Sequence, residues 1–364
     1  MVAPRKSVKK TPKKNTGAKP RSVKSKKQTT PARARLVLKK IHTNPVIAPK
    51  GENWWEGWQT FNPGVILLDD NIHFLYRAIG NDGMSRLGYA RSSDGFHISE
   101  RLPQPVYEHQ VRRCSYNVYS YFSGGSWGGA EDPRIVRVGI DDVLYMTYTA
   151  CNGDLRVGLT SIGVDDFLNK KWNWKPPVMI SPPGEVHKNW VIFPEKINGK
   201  YAILHSINPS ISVEYLDSLD FEDDQCIKSS HGGKPRANCW DRWVRGIGPV
   251  PLKTEHGWLV FYHAMDNDWS KYKVGAMLLD LNDPTKILYR SKEPILVPSE
   301  DYENNGFKAG VVYASGAVIK DGTLFVYYGG ADSNVCMAYA GIDEFLDALI
   351  KHKEPKLRIA SARK

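Results

Sequence analysis

The residues best suited to acid–base chemistry lie in the stretch GGAEDPRI, residues 128–135. Glu131 and Asp132 are adjacent carboxylates that follow two glycines, and Pro133 fixes the backbone before an apolar run begins. Gly, Asp and Pro are also typical of surface turns, so the motif by itself allows both a turn and a proton-donating acid. Side chains alternate between the two faces of a strand. We therefore expect Asp132 to face a site and Glu131 to face away from it and be structural.

The elements that would position Asp132 form an internal repeat. Five segments pair two apolar runs across a polar turn, at residues 65–78, 135–150, 195–207, 250–264 and 317–330, and a third short strand follows each. Equivalent points in successive segments lie 72, 56, 58 and 65 residues apart. Repeated hairpin-plus-strand units without long helical patterns predict an all-β fold, a five-bladed β-propeller. The alternative, a two-sheet sandwich, does not predict such regular units.

In a propeller the innermost strand of each blade lines the central channel. Several of the stretches that precede the hairpins combine Gly or Pro with a polar side chain, as in Asn62-Pro63-Gly64 and Arg245-Gly246. In register around one axis, they predict a polar pocket. Among these stretches, the one with Asp132 alone contributes an aspartate, which favours the acid over the turn.

Charge and composition divide the chain unevenly. Residues 1–40 contain 15 Lys and Arg and no acid, which leaves 35 basic and 39 acidic residues, a net charge of −4, in the remainder. We expect a disordered Lys/Pro-rich tail (1–40), a catalytic propeller domain (41–350) and a basic C-terminal extension (351–364). The tail suits a weak contact with nucleic acid or an anionic surface, or is simply a solvated arm.

Other features of the sequence bear on location and assembly. The five cysteines are scattered and lack CxxC spacing, which argues against a disulfide framework or a zinc site and favours reduced thiols in the cytoplasm. No secretory signal or membrane span is predicted. Homo-oligomerisation is left open.

Several motifs resemble glycoside hydrolase family 130, which contains inverting β-mannoside phosphorylases and some β-mannosidases on five-bladed propellers. They include FNPGVI, AEDPRI, FPEKINGKYAILH, GIGPVPLKTEHGWLVFYHA and ASGAVIKDGTLFVYYGGAD, and the resemblance covers about residues 45–350. It implies that Asp132 is the general acid, whose proton travels through a hydroxyl of the bound mannose. It also implies a mannose subsite formed by Asn62, Arg77, Asp82, Ser85 and Arg86. Trp54, Trp55 and Trp58 either stack on a sugar or pack at a blade edge.

A phosphorylase also needs cations that bind its second substrate, inorganic phosphate. Lys188 and His263 match phosphate-contact positions of the family, and Arg245 is a third candidate. This set departs from the family pattern at two positions: Ser206 stands where an Arg is usual, and Val244 occupies the usual Lys position. Arg245 would restore a charge, but a shift of one residue along a strand points it to the opposite face.

The resemblance leaves the reaction open. We expect phosphorolysis of a β-mannoside oligosaccharide or glycoconjugate to mannose 1-phosphate, a glycosyl transfer without a metal or other cofactor. The alternative is an inverting β-mannosidase, which needs a second carboxylate to activate water; Asp241, Glu185 and Glu303 are the candidates. A non-catalytic glycan-binding propeller is the third reading, and the intact Asp132 argues against it.

Overall fold

The structure, a computed structural model, describes residues 36, 38–111, 124–222, 225–229, 235–236, 238–267 and 271–351. Within these residues the fold is all-β, as the sequence predicts, with 21 strands and three short helices. The strands form five successive antiparallel units that follow the five repeats. Cys114 and residues 352–364 lie outside the described residues.

The first two units share one sheet. Unit 1 contains β2 (Gln59–Leu68), β3 (Asn71–Ile79) and β4 (Met84–Ser92), with short β5 (Glu100–Arg101) and β6 (Tyr107–Glu108) against β4; unit 2 contains β7 (Gly128–Arg137), β8 (Val143–Cys151), β9 (Leu155–Gly163) and β10 (Val178–Met179). Asp69 and Asp70 both have positive φ in the turn between β2 and β3. That conformation suits a tight hairpin and is one that Asp tolerates.

The remaining units follow the same plan. Unit 3 contains β11 (Val191–Ile192), β12 (Tyr201–Ser206) and β13 (Ser212–Leu216); unit 4 contains β14 (Trp243–Ile247), β15 (Leu252–Thr254), β16 (Gly257–Met265), β17 (Lys273–Leu279) and β18 (Ile287–Arg290); unit 5 contains β19 (Val312–Lys320), β20 (Thr323–Gly330) and β21 (Asn334–Gly341). The N-terminal strand β1 (Lys39–Lys40) pairs with β21 and so completes unit 5. The helices are α1 (Val164–Leu168), α2 (Asp301–Asn304) and α3 (Ile342–Lys351).

Five hydrophobic clusters connect the units. Each cluster combines buried residues of two units: units 1 and 2, 2 and 3, 3 and 4, 4 and 5, and finally 5 and 1. The last of these brings Val65 and Phe74 of unit 1 against Val318 and Phe325 of unit 5. The alternating apolar positions of each hairpin therefore serve the contacts on both sides of their unit.

The predicted tail boundary at residue 40 lies a few residues too late. Leu36 and Leu38 are buried in the cluster between units 4 and 5, and Lys39–Lys40 forms a strand. Two large apolar residues after the basic run supply the burial that the tail lacks. Residues 1–35 and 37 lie outside the described residues, so the disorder expected there remains a prediction. No helix in the described part of the chain is long and apolar enough to span a membrane.

Candidate active site

A polar cavity of about 280 Å³ brings together five of the nine predicted site residues. Asn62, Arg77, Asp132, Lys188 and Arg245 line it. Asn189, Tyr272, Lys308, Tyr313 and Asp332, which the sequence reasoning did not single out, line it as well. A larger cavity of about 720 Å³, bordered by His109, Trp172 and Trp174, contains none of the predicted residues.

A β-bulge in the first strand of four units shapes this cavity. The register shifts between Phe61 and Gly64 in β2, Glu131 and Arg134 in β7, Val244 and Gly246 in β14, and Ala314 and Gly316 in β19. Each shift inserts one extra residue opposite the second strand. Bulges bend a strand and redirect its side chains. The repeat therefore presents Asn62, Asp132 and Arg245 at corresponding points of their units.

Asn62 and Asp132 are held in an unusual backbone conformation. Their φ angles are 44° and 47°, in the left-handed region that few residues other than Gly adopt. Asn and Asp tolerate it best among residues with a side chain. Gly329 makes room for the Asn62 amide, since a Cβ there would lie 2.0 Å from its Oδ1. Backbone strain at a cavity is typical of functional sites.

Asp132 is a buried carboxylate among cations. Its Oδ1 accepts hydrogen bonds from Asn62 Nδ2 at 2.9 Å and from the Arg77 guanidinium at 3.2 Å. Burial alone would raise its pKa, but the charges of Arg77, Lys188 and Arg134 outweigh burial and lower the pKa to about 2. Asp132 is therefore ionised at neutral pH.

Glu131 does not line the cavity, but its side chain points toward two residues that do, contrary to the expectation from strand alternation. It is fully buried, and its carboxylate lies 3.1 Å from Arg77 and 3.0 Å from Lys188. Ser126 Oγ donates a further hydrogen bond to it at 2.6 Å. Burial opposes its charge, but Arg77 and Lys188 hold its pKa below the usual value. The bulge that follows Glu131 breaks the alternation, so both acids share Arg77.

Of the other predicted mannose-subsite residues, Ser85 lies behind Arg77, and Asp82 and Arg86 lie outside the cavity. Ser85 is buried; its hydroxyl accepts a bond from Arg77 Nε at 3.0 Å and donates to Ala130 O at 2.6 Å, so it orients Arg77. Asp82 and Arg86 form an ion pair at 2.7 Å that does not line the cavity. The Arg86 guanidinium lies 4.6 Å above the ring of Trp54. This pair belongs to the outer surface near the cavity.

The cations of the cavity come from separate elements. The bulge at Arg245 turns its side chain into the cavity, where Nε donates to Tyr272 Oη at 3.2 Å. The expectation that the shift would point Arg245 away is thus wrong, because the extra residue restores the direction. Lys188 contacts Glu131, and Lys308 lies 3.2 Å from Asp332. Among the described residues, Arg245 has no carboxylate within ion-pair distance.

His263 does not line the cavity. It is fully buried, its Nε2 lies 2.7 Å from Ala314 O, and its ring stacks on Tyr313 with 3.8 Å between centroids. Burial, followed by the nearby charge of Arg134, lowers its pKa to about 3. A neutral imidazole behind Tyr313 supplies no positive charge to an anion. Tyr313, whose hydroxyl bonds to Asn189, takes its place at the cavity wall.

The three candidate bases for hydrolysis lie elsewhere. Asp241 is buried between Arg236 and Arg290 and accepts a bond from Tyr262. Glu303 is buried at the N-terminus of α2, where it caps the helix and contacts Lys40. Glu185 bonds to His187 and its side chain is 58% exposed. None of the three lines the cavity.

Two further residues, Ser206 and Trp55, have roles other than substrate binding. Ser206 bonds to Asn208 O and is not part of the cavity. Trp55 is fully buried, with its Nε1 donating to Pro103 O, so it is a core residue. Trp54 and Trp58, in contrast, are exposed.

Some cavity residues were missed for an identifiable reason. Asp332 and Asn189 also have positive φ, and Asp332 follows Gly329-Gly330-Ala331 at the end of β20. The sequence signal for Asp332 is a polar residue directly after a Gly-rich strand end, whereas the predicted site residues came from the starts of the first strands. In the described part of the chain, no group of three or more His, Cys, Asp or Glu is arranged to hold a metal ion.

The fold and the site agree with one protein family. The chain belongs to glycoside hydrolase family 130: the family model described as beta-1,4-mannooligosaccharide phosphorylase matches residues 26–351. The resemblance inferred from the motifs is confirmed.

Individual relatives refine the comparison. The chain is 39% identical to a 1,2-beta-oligomannan phosphorylase of Thermoanaerobacter sp. (strain X514), covering 83% of this chain and 97% of the relative. The β-1,2-mannobiose phosphorylase of Listeria innocua, solved with β-1,2-mannobiose, is 27% identical, with a TM-score of 0.66 over 86% of this chain and 99% of that one. Another solved structure, with a TM-score of 0.68, 27% identity and coverage of 84% and 94%, is described with family hydrolases that target beta-1,2 mannosidic linkages in Candida mannan.

Proposed function

We propose that this protein is an inverting β-mannoside phosphorylase in which Asp132 is the general acid. The observation that carries the proposal is the cavity itself, where the cations Arg77, Lys188, Arg245 and Lys308 outnumber the lining carboxylates Asp132 and Asp332. A surplus of cations suits an anionic nucleophile such as phosphate. Membership of a family described by mannooligosaccharide phosphorolysis supplies the sugar. The named linkage of the Thermoanaerobacter relative makes β-1,2-oligomannan the first substrate to test.

The residues take distinct roles in this proposal. Asn62 and Arg77 bind the mannosyl unit and hold Asp132, while Ser85 orients Arg77 from behind. Lys188 and Arg245 bind phosphate together with Lys308. We propose that His263 acts indirectly, because its stacking fixes the ring of Tyr313.

In the reaction, a phosphate oxygen attacks C1 of the mannosyl unit opposite the leaving sugar. The C1–O bond breaks, and its electron pair stays on the leaving oxygen. Asp132 gives that oxygen a proton, directly or through a mannose hydroxyl, and regains one from the incoming phosphate or from water. A β-mannoside thus yields α-mannose 1-phosphate and the shortened sugar. Arg77 stabilises the carboxylate that Asp132 becomes.

Hydrolysis is the second candidate, favoured by the structural similarity to family hydrolases. An inverting hydrolase needs a base roughly 6.5–9.5 Å from the acid. Asp241 and Glu303 are committed to buried ion pairs, and Glu185 is exposed and lies outside the cavity. Among the described residues that line the cavity, the other acid is Asp332, which is paired with Lys308. These contacts support phosphorolysis, for which no base is needed.

We also propose that the five units are the blades of a five-bladed propeller. The supporting observation is that the five hydrophobic clusters form a closed cycle, with unit 5 packed on unit 1. Pairing of β1 with β21 joins the N-terminal strand to the last unit. Such closure leaves few free sheet edges, which is the advantage of radial repetition.

Product analysis with and without phosphate tests the reaction. Purified protein incubated with β-1,2-mannobiose should release mannose 1-phosphate when inorganic phosphate is present and little sugar when it is absent. The Asp132→Asn variant serves as the inactive control. Equal release of free mannose in both buffers would overturn phosphorolysis in favour of hydrolysis.

A further inference from the structure

Three exposed tryptophans surround one short segment beside the cavity. Trp54, Trp58 and Trp127 are 53%, 45% and 46% exposed, and they are three of the five large apolar side chains exposed among the described residues. Large apolar side chains clustered at a surface mark binding sites more often than chance. The question is what they bind.

Backbone hydrogen bonds attach all three tryptophans to residues 79–83. Trp58 N donates to Ile79 O at 3.1 Å, Asn81 N donates to Trp54 O at 3.1 Å, and Trp127 N donates to Gly83 O at 2.8 Å. The Trp127 ring also packs on Gly83, where a Cβ would lie 3.2 Å from it. Their positions are therefore fixed by the fold, and we call this set the tryptophan rim.

Neighbouring residues connect the tryptophan rim to the cavity. Trp58 precedes Asn62 by four residues, Trp127 precedes Asp132 by five, and the 79–83 segment directly follows the strand that carries Arg77. Trp58 also contacts the edge of Phe307, the neighbour of cavity residue Lys308. These links place the rim beside the cavity.

The size of the cavity favours a binding surface outside it. Its volume of about 280 Å³ is at the lower limit of small-molecule sites, which span roughly 300–1,000 Å³. The cavity therefore cannot enclose a chain of several sugars, whose outer units must lie on the adjoining surface. Indole rings offer flat apolar area for the C–H faces of sugar rings. The Asp82–Arg86 pair over Trp54 offers polar partners for their hydroxyls.

We infer that the tryptophan rim is an extended binding surface for the outer sugars of an oligomannan chain, so that the protein prefers longer substrates to disaccharides. The inference rests on the proposed function. It assigns Asp82 and Arg86 to this outer surface rather than to the sugar that reacts. The rim thus sets chain-length specificity, while the cavity performs the reaction.

Binding measurements on the full chain test the inference. Isothermal titration calorimetry in phosphate-free buffer compares β-1,2-mannobiose with a longer β-1,2-mannooligosaccharide, for the wild type and for Trp54→Ala, Trp58→Ala and Trp127→Ala. The wild type should bind the longer sugar more tightly. Each variant should weaken that binding by about tenfold, the equivalent of about 1.4 kcal/mol, and weaken mannobiose binding less. Ile140→Ala, an exposed apolar residue outside the rim, is the matched control, and thermal melting verifies the fold of each variant.

The possible failures are distinguishable. If mannobiose binds but length brings no gain, or the variants keep the gain, the rim inference is overturned and the proposed function stands. If neither sugar binds and no mannose 1-phosphate forms with phosphate, both are overturned. A change of oligomeric state in the variants, seen by size-exclusion chromatography, would instead identify the rim as a contact between copies of this chain.

Discussion

Replacing Asp132 by Asn should destabilise the protein, although the residue belongs to a strained site. Protonation of a folded carboxyl with a depressed pKa costs stability, and Asn imitates the protonated form. The pKa falls from the ordinary 3.8 to about 2, and each pKa unit corresponds to about 1.4 kcal/mol, so the ionised form contributes about 2 kcal/mol to the free energy of unfolding. At neutral pH the Asn variant lacks this entire contribution to the free energy of unfolding.

The direction of the pKa shift determines the pH range in which the stabilisation is lost. Because the folded pKa is the lower one, the stabilisation is complete above the unfolded pKa and is lost as the pH falls through the folded pKa. About half should remain at pH 3. The gap between wild type and Asp132→Asn should therefore be constant from pH 7 to pH 5 and narrow below pH 4.

Urea unfolding followed by tryptophan fluorescence, in buffer without phosphate, measures this gap. Asp217→Asn is the control, because Asp217 pairs with Lys200 at the surface and is 87% exposed; its loss should change stability by less than about 0.5 kcal/mol. If Asp132→Asn equals or exceeds the wild type in stability, then backbone strain and burial outweigh the attraction of Arg77, and the electrostatic account of the site is wrong.

Two further predictions concern the phosphate cations and the tail. Arg245→Ala should raise KM for phosphate by about 10–100-fold, because a charge-assisted hydrogen bond to phosphate is lost, and should change KM for the mannoside less. Steady-state kinetics with each substrate varied in turn measures the two KM values. Equal effects on both would argue against phosphate binding at Arg245. Deletion of residues 1–34 should leave kcat and KM for mannobiose within about twofold of the values for the full chain, because the described chain packs from Leu36 onward. A large fall in kcat would mean that the tail belongs to the site.

The repeats were predictable from the sequence because hairpins are local. A polar turn between two apolar runs carries its own signal, as at Asp69-Asp70, and the family motifs located Asp132, Asn62 and Arg77 directly. The directions of Glu131 and Arg245 were not predictable. Both errors have one cause, a bulge whose existence depends on how two strands pair. Period-2 alternation fails where a strand gains a residue.

The remaining cavity residues illustrate a second limit. Lys308 precedes the first strand of unit 5 and Asp332 follows its second strand, and both meet residues of units 1 and 2 in space, across most of the chain. No local pattern records such a meeting. His263 shows the reverse case, since a residue that matches a family position lies behind Tyr313 instead of at the cavity wall. A motif identifies a neighbourhood, and packing decides which side chain in it reaches the ligand.

An ionised Asp132 cannot donate a proton, and bound phosphate would favour its protonated form. Two negative charges at a distance of about 7 Å, in an effective dielectric of about 20, raise the pKa of a carboxyl by about 3.5. That would bring Asp132 from about 2 to a value at which protonation is accessible near neutral pH. Phosphate binding and protonation of Asp132 are then coupled, and the coupling acts equally in both directions.

Asp132→Asn, which imitates the protonated acid, should therefore bind phosphate more tightly than the wild type at pH 7, by at least about tenfold. Calorimetric titration with inorganic phosphate at several pH values measures the ratio of the two dissociation constants, in which the ionisation of phosphate itself cancels. The ratio should approach one as falling pH protonates wild-type Asp132. Asp217→Asn should match the wild type throughout. If Asp132→Asn binds phosphate at pH 7 as weakly as the wild type or more weakly, phosphate does not bind beside Asp132. Two anions in one small cavity repel each other.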